Sequence, residues 1–494
     1  MSDTLTTDIC VIGGGSGGLS VAAGASQMGA DTVLVESGPM GGDCLNFGCV
    51  PSKSILAAAH HAQSHRESGR FGVNGSEPAI DFKAVHDHVH GVIASIAPHD
   101  SVERFEGLGV TVLKARAEFT GPGEILAGNR RVRARRFVVA TGSSAMVPPV
   151  PGLDEVPFLT NETVFGLTEL PEHLVVIGGG PIGLELAQAF RRLGSQVTVI
   201  EMFGALAKDD PEAAAVVITR LRHEGVEILE HTKVHSVAAL VRNGNGSAKG
   251  VAVTVEGPSA SGGPAGGDGD EGERRVVQGS HLLVAAGRKA NVEGLNLEAA
   301  GVDYEPRGIK VDPRLRTSNK KIFAIGDVAG GYQFTHMAGY HAGIVIRNAL
   351  FRLPAKVDYR AVPWVTYTDP ELAQVGMSEA VARDKEGDIR ILRWRFEEND
   401  RAQAEHQTEG FVKVITSKRG RVLGATIVGH HAGELLLPWS MAVQQKQKIG
   451  AIANLIAPYP TLSEVSKRAA GSFYTDALFS ERTRKIVRFL SRFG

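Results

Sequence analysis

Residues 8–37 read DICVIGGGSGGLSVAAGASQMGADTVLVES, and residues 173–202 read HLVVIGGGPIGLELAQAFRRLGSQVTVIEM. Each stretch opens with an apolar run and meets Gly-x-Gly-x-x-Gly, formed first by Gly13, Gly15 and Gly18 and then by Gly178, Gly180 and Gly183. An Ala-rich helical pattern follows, then a second apolar run that ends in an acid, Glu36 or Glu201. The spacing has a physical meaning: the first glycine allows a tight turn, the second lets backbone approach a pyrophosphate, and the third lets helix pack on strand. The closing carboxylate is placed to accept from a ribose hydroxyl. A lone glycine triplet is weak, but here strand, helix and an acid about 20 residues on accompany it twice, which predicts two dinucleotide folds over two ordinary glycine-rich packing turns.

Apolar strands ending in ATG (Ala140 to Gly142) and AAGR (Ala285 to Arg288, with Gly287 in the turn) close the two units, and a further strand, KIFAIGD, ends at Asp327. From about Val357 the pattern changes to aromatic-rich strands (VPWVTY, RWRFEE, FVKVIT, GATIVG) followed by helices, as in a separate α+β domain. The expected fold class is therefore α/β: two Rossmann-like dinucleotide-binding domains plus an α+β carboxy-terminal domain. Boundaries are expected at 1–150 with 286–355 for the first, 151–285 for the second and 356–494 for the third. GPSASGGPAGGDGDEGE, Gly257 to Glu273, cannot bury a core and reads as a flexible hairpin extension of the second domain.

The balance of 53 Lys+Arg against 54 Asp+Glu, a net charge of −1, provides no basic field for a nucleic acid backbone. Hydrophobic residues at 43% and charged residues at 22% are those of a globular chain, which excludes a disordered one. Three cysteines, Cys10, Cys44 and Cys49, are too few for a secreted disulfide framework, so a cysteine pair points to redox chemistry in a reducing compartment. The first seven residues are polar, without an export pattern, and no apolar run reaches the roughly 18 residues of a bilayer span. A cytoplasmic enzyme without a transmembrane span or nucleic acid partner is expected.

GGDCLNFGCVPSK, Gly41 to Lys53, follows the first nucleotide unit. Cysteines five apart in a regular helix have Cα atoms roughly 8 Å apart, beyond the approximately 4.4–6.8 Å that a disulfide spans. The helix must therefore be distorted there if the pair is to close, and Gly48 and Pro51 supply the means: one has backbone latitude, the other lacks an N–H. Two unconnected buried cysteines are the alternative.

This segment resembles the redox-active motif of the class I pyridine nucleotide-disulfide oxidoreductases, flavoenzymes of the dihydrolipoamide dehydrogenase and mercuric reductase type. The resemblance covers nearly the whole chain. It implies FAD on the first nucleotide unit, a nicotinamide dinucleotide on the second, and a homodimer built through the carboxy-terminal domain. It further implies that Cys49 is the thiolate beside the flavin and Cys44 the interchange thiol, with Lys53 reaching toward flavin N5 and pairing with Glu185. Asp327 would bind the ribityl chain, and Thr335 would open a helix whose positive end faces the flavin. Gly13, Gly15, Gly18, Glu36, Ala117 and Gly142 complete the expected FAD set. Gly178, Gly180, Gly183, Glu201 and Gly287 form the nicotinamide set, and Glu201 favours NADH because a carboxylate repels a 2′-phosphate.

One departure is chemically important. Where the disulfide-reducing members carry His-Pro-Thr-x-x-Glu, this chain reads APYPTLSE, so Tyr459 replaces the acid-base histidine while Pro460, Thr461 and Glu464 remain. An unperturbed tyrosine titrates near 10 and donates at neutral pH, whereas thiol exchange benefits from a group poised near 7. His430 or His431 is the alternative base. Tyrosine here is similar to mercuric reductase, as are Phe334 to Asn348 and AGELL at Ala432, but the final KIVRFLSRFG lacks that enzyme's cysteine pair. The expected function is hydride transfer from NAD(P)H through FAD to the Cys44–Cys49 disulfide and on to a thiol/disulfide or related acceptor. The alternatives are a metal-ion or quinone acceptor and, in another class, a noncatalytic redox-sensing flavoprotein. His86 and His90 in HDHVH, and His60, His61 and His65, read as solvated helix faces in preference to metal ligands. Cys10 reads as core, and the basic, apolar tail Arg482 to Arg492 as an amphipathic helix packing on a partner subunit.

Overall fold

The computed structural model describes residues 4–240, 250–258 and 273–493. The chain forms two compact units: Met1–Phe203 with Val226–Val357, and Gly204–Gly225 with Asp358–Gly494.

In the first unit, β1 (Thr4–Ile12), α1 (Ser16–Gln27) and β2 (Thr32–Glu36) make the first nucleotide unit, followed by α2 (Gly42–Asn46) and α3 (Cys49–Glu67). Strands β3 (Val110–Lys114), β4 (Ala117–Gly121), β5 (Glu124–Ala127) and β6 (Arg130–Val139) complete a sheet of order β3-β2-β1-β6-β5-β4. The second nucleotide unit comprises β7 (His173–Ile177), α4 (Pro181–Leu193) and β8 (Gln196–Ile200), extended by β9 (Val226–Leu229) and β10 (His281–Val284) into an all-parallel sheet, β9-β8-β7-β10. Strand β11 (Ile322–Ala324) pairs in parallel with the end of β6, and α5 (Thr335–Ala349) follows it. These are the two Rossmann-like folds expected from the glycine repeats.

Burial explains why β1 reads as a continuous apolar run. Ile9 and Val11 pack on one face with Leu19 of α1 and Val345 of α5, while Cys10 and Ile12 pack on the other with Phe119 and Phe137. A sheet covered on both faces has no polar side, so period-two alternation disappears. Cys10 is wholly buried and burial pushes its thiol up, in keeping with a core role.

A three-stranded antiparallel sheet, Lys233–Ala239, Val251–Gly257 and Glu273–Gly279, also belongs to this unit. Its last two strands pair Gly257 with Glu273, so the low-complexity segment is flanked by a strand pair. Residues 259–272 of that segment lie outside the described residues.

The second unit holds a five-stranded antiparallel sheet in the order Pro363–Thr366, Glu371–Gly376, Val422–Gly429, Phe411–Ser417, Ile389–Arg395. The helix Pro211–His223 belongs here too, although the sequence placed 204–225 with the second nucleotide fold. Its anchor is polar. Asp210 caps the helix by accepting from Glu212 N and Ala213 N, and also accepts from Lys413 Nζ at 2.8 Å. Lys413, only 2% exposed, further pairs with Glu212 and Glu379 at 2.9 Å each. Burial opposes its charge, but the three carboxylates outweigh it and push the ammonium up to about 12.

The tail forms the expected helix, Glu481–Leu490, capped by Ser480, and buries none of its residues. His86 and His90 stack at 4.0 Å on the helix Phe82–Ile96. Among the described residues no group of three or more His, Cys, Asp or Glu is placed to hold a metal, and no helix is long and apolar enough to cross a membrane.

Candidate redox site and dinucleotide sites

The two cysteines stand on either side of a helix break. Cys44 lies on α2 and Cys49 is the first residue of α3. Between them Phe47 (φ −138°, ψ 1°) and Gly48 (φ −128°, ψ −111°) leave helical geometry. A Cβ on Gly48 would lie 2.9 Å from Asp43 Oδ2 and 3.0 Å from Asp43 O, so a side chain at the break would crowd Asp43. Pro51 falls in the first turn of α3, where its missing N–H has no intrahelical acceptor in any case.

In this structure the pair is two free thiols, the dithiol form of the expected redox couple. The two thiols act on each other unequally. Donation from Cys44 lowers Cys49 to about 6, with Thr335 and the charge of Lys53 helping against burial and Asp43. Cys44 is raised, first by that same hydrogen bond and then by burial. Thr335 Oγ1 lies 3.2 Å from Cys49 Sγ, and Thr335 is the first residue of α5. Cys49 therefore sits at the positive ends of two helices, its own and α5, the setting that favours a thiolate. Lys53, one turn along α3, reaches buried Glu185 of α4 with Nζ and Oε2 2.8 Å apart.

The two glycine motifs repeat each other almost bond for bond. A Cβ on Gly13 would lie 2.4 Å from Ala140 O, and on Gly178 2.4 Å from Ala285 O. On Gly18 it would lie 1.8 Å from Gly13 O, and on Gly183 2.0 Å from Gly178 O. These four glycines are required by the protein itself. The middle ones are not: beside Gly15 the nearest atom is Gly42 Cα at 3.8 Å, and Gly180 has nothing within 4 Å. Their missing side chains leave open cradles at the amino ends of α1 and α4, which fits a dinucleotide pyrophosphate. Glu36 accepts from Gly14 N and Gly38 N at 2.5 Å each; Glu201 accepts from Gly179 N at 2.6 Å and Phe203 N at 2.8 Å. Both acids are thus fixed at the edge of their cradles.

Asp327, after β11, accepts from Ser143 Oγ at 2.5 Å, and burial raises its carboxyl. Gly142 adopts φ +70° with open space beside it, Gly287 lies in the turn after β10 at φ +123°, and Ala117 is buried at the start of β4. Sequence reasoning missed three residues here. Arg288 donates to Ser143 Oγ (2.7 Å) and O (2.8 Å) and lies 3.2 Å from Asp43 and 3.9 Å from Asp327. Asn161 donates to Asp43 Oδ1. His341, which burial pushes down to about 4, accepts from Gly326 N through Nδ1 and so fixes the turn carrying Asp327. Only Arg288 had a signal, its place after the closing AAG turn.

Tyr459 and Glu464 belong to the second unit, the cysteines to the first. Tyr459 is 70% exposed and its hydroxyl donates to Asp400 Oδ2 at 3.0 Å, which raises its pKa. Glu464 opens the helix Glu464–Ser472, and Asn399 Nδ2 donates to Thr461 O in the loop before it. His430 and His431, the alternative bases, also lie in the second unit, with ring centroids 3.8 Å apart.

Residues 7–342 match the pyridine nucleotide-disulphide oxidoreductase family, and residues 362–470 match that family's dimerisation domain. A mercuric reductase from Staphylococcus aureus is 33% identical over 472 residues, 95% of this chain and 83% of that protein. A dihydrolipoyl dehydrogenase from Geobacillus stearothermophilus is 33% identical over 475 residues, covering 94% of this chain and 96% of its own. Among solved structures, the Cu(II) complex of the HOCl-induced flavoprotein disulfide reductase RclA from Escherichia coli superposes with a TM-score of 0.81 at 26% identity, covering 93% and 99% of the two chains. LpdA from Mycobacterium tuberculosis gives 0.82 at 28% identity, covering 94% and 99%. The repeated nucleotide folds and the thiol pair after the first of them thus have their counterpart in shared sequence along almost the full chain, which belongs to the pyridine nucleotide-disulphide oxidoreductases, FAD-dependent flavoprotein oxidoreductases with a disulfide redox centre.

Proposed function

We propose that the protein passes two electrons from NAD(P)H to the Cys44–Cys49 couple and on to a small disulfide. The observation that carries this reading is the placement of Cys44 and Cys49 on either side of a helix break, with Thr335 Oγ1 3.2 Å from Cys49 Sγ, a setting that lowers the Cys49 thiol and raises Cys44. In the half-reactions, NAD(P)H gives up hydride and, with one proton, opens the disulfide to two thiols; those thiols then exchange with an acceptor disulfide, re-forming Cys44–Cys49 and releasing two thiols. Bound FAD supplies the two-electron relay between nicotinamide and disulfide. The open cradle at Gly15 with Gly13, Gly18, Glu36, Ala117, Gly142, Asp327 and Thr335 would hold it. Lys53, oriented by Glu185, places a positive charge beside Cys49 and holds that sulfur ionised.

Gly178, Gly180, Gly183, Gly287 and Glu201 would take the nicotinamide dinucleotide. Glu201 is held by two backbone N–H groups and so cannot swing away from a 2′-phosphate, which supports NADH over NADPH. Segments 1–150 with 286–355 would bind FAD, 151–203 with 226–285 would bind NAD, and 356–494, joined by 204–225, would form the dimerisation domain. A homodimer would complete the site with Tyr459 and Glu464. Because Tyr459 is engaged as a donor to Asp400, it acts as a donor and not as the base of thiol exchange. A dithiol centre of this kind suits a reducing cytoplasm.

A second reading, reduction of a soft metal ion, is supported by the mercuric reductase relatives and by the Cu(II) complex of RclA, since adjacent thiolates are soft ligands. The deciding experiment is anaerobic NADH and NADPH oxidation by the FAD-loaded protein with lipoamide, oxidised glutathione, Hg(II) and a quinone, each repeated on Cys44→Ser. Turnover of a disulfide that vanishes in the variant is expected. Quinone turnover that survives the variant, with none on disulfides or metal, would remove the cysteines from the reaction.

A further inference from the structure

Three stretches of the first unit converge on Asp43, the residue before Cys44. Asn161, 7% exposed, donates through Nδ2 both to Asp43 Oδ1 at 3.0 Å and to the carbonyl of Phe47 at 3.2 Å. Arg288, its side chain 13% exposed, lies 3.2 Å from Asp43 Oδ2. Gly48 packs close to Asp43: a Cβ there would lie 2.9 Å from the carboxylate and 3.0 Å from the carbonyl.

The arrangement answers a definite need. In an uninterrupted helix the Phe47 carbonyl would accept from the N–H of residue 51, but residue 51 is proline and has none. A half-buried carbonyl that loses its helical donor needs another partner, and Asn161 supplies one. The same amide grips Asp43, so the residue before the first cysteine and the residue at the break are tied to one side chain from a distant segment.

We propose that Asp43, clamped by Asn161 and Arg288, is a positioning residue that fixes the helix break between Cys44 and Cys49 and thereby sets the dithiol–disulfide equilibrium of the pair. Two effects of opposite sign follow. The clamp holds the thiols in mutual hydrogen-bond reach, which favours the Cys49 thiolate and hence the reduced state. The Asp43 charge, partly offset by Arg288, works against that thiolate.

The inference rests on the Cys44–Cys49 couple of the proposed function but is read out without turnover. The full-length, FAD-loaded protein is equilibrated with thiol–disulfide buffers and trapped by alkylation, and the pH midpoint of Cys49 alkylation is measured in the reduced form. Asp43→Asn keeps an oxygen for Asn161 and loses the charge. It should lower the Cys49 midpoint and move the equilibrium about threefold toward dithiol, or about 14 mV at roughly 29.6 mV per tenfold. Asn161→Ala releases the break and should move both quantities the other way. Shifts in the same direction, or none in either variant, would overturn the proposal. If Asp43→Asn does not accumulate folded, an unmoved midpoint in Asn161→Ala alone does so. Survival of turnover in Cys44→Ser would instead strike the proposed function and leave these two readouts standing.

Discussion

Gly180 and Gly183 stand three residues apart in one motif, yet the structure predicts opposite consequences for the same added methyl. In Gly183→Ala the new Cβ would sit 2.0 Å from Gly178 O, a backbone atom in a turn already held by Gly178 N to Ile200 O at 2.9 Å, so neither side can yield cheaply. A backbone clash of that depth belongs with the most disruptive single changes, about 3–5 kcal/mol. At roughly 2–4 °C per kcal/mol in a domain of this size, the melting temperature should fall by about 6–20 °C. In Gly180→Ala the Cβ meets nothing within 4 Å, and φ of −79° suits any residue. A poorer N-cap and a stiffer unfolded chain then nearly cancel, leaving stability within about 1 kcal/mol of the parent. The methyl instead fills the cradle, and an overpacking penalty of about 1–3 kcal/mol raises the KM for NADH about 5- to 150-fold. Circular dichroism melts and steady-state NADH kinetics on both variants test this directly. Equal loss of melting temperature in the two, or an unchanged KM in Gly180→Ala, would refute the assignment of the open cradle to the coenzyme.

Three further outcomes are expected. In the reduced protein, Cys49 alkylation should reach half-maximal rate near pH 6, increasing as the thiolate forms above that value, while Cys10 stays unreactive; Cys44→Ala removes the donor and should move the midpoint up toward the ordinary value of about 8.5. A midpoint already near 8.5 in the parent would contradict the shared proton. Lys413→Met leaves buried Asp210 without its cation and should cost about 3–5 kcal/mol in urea unfolding, partly restored by adding Asp210→Asn. Because the folded state raises Lys413 above its ordinary value of 10.5, to about 12, its contribution is full below pH 10.5 and fades only as pH climbs through 12, so the deficit should be constant across the neutral range. Tyr459→His supplies a group that titrates near neutrality and should raise lipoamide turnover by about 100-fold or more; no gain would show that the tyrosine does not occupy the base position.

The parts of the fold visible in the sequence are those in which local chemistry and tertiary role coincide. Both nucleotide folds were legible because Gly13 and Gly178 are demanded by backbone crossings at Ala140 and Ala285, and such demands are written in the glycines themselves. The strand Glu371–Gly376 was not: ELAQVG contains Glu, Ala and Gln, which suit a helix, and it is a strand because it lies between Pro363–Thr366 and Val422–Gly429 and buries four consecutive residues. The place of residues 204–225 was hidden for a similar reason. As sequence, the segment is the crossover of a nucleotide fold; its attachment is decided by Lys413, some two hundred positions away.

At the redox site the same distinction separates the chemistry from its support. The cysteine spacing shows that the helix must break, and Gly48 and Pro51 show where, since each breaks helix by its own covalent nature. What holds the broken ends is not local. Asn161 and Arg288 come from 118 and 245 positions away, and nothing in their own neighbourhoods distinguishes a clamp from an ordinary polar residue. Thr335 was read from the sequence as a helix start, but its hydroxyl against Cys49 follows only from the packing of α5 beside the start of α3. The asymmetry between the cysteines has the same origin: the Cys49 thiol is lowered because a helix start, a hydroxyl, a lysine and the other thiol all act on one sulfur. Under the proposed function, that asymmetry would let one thiol hold charge while the other carries the proton that exchange must move.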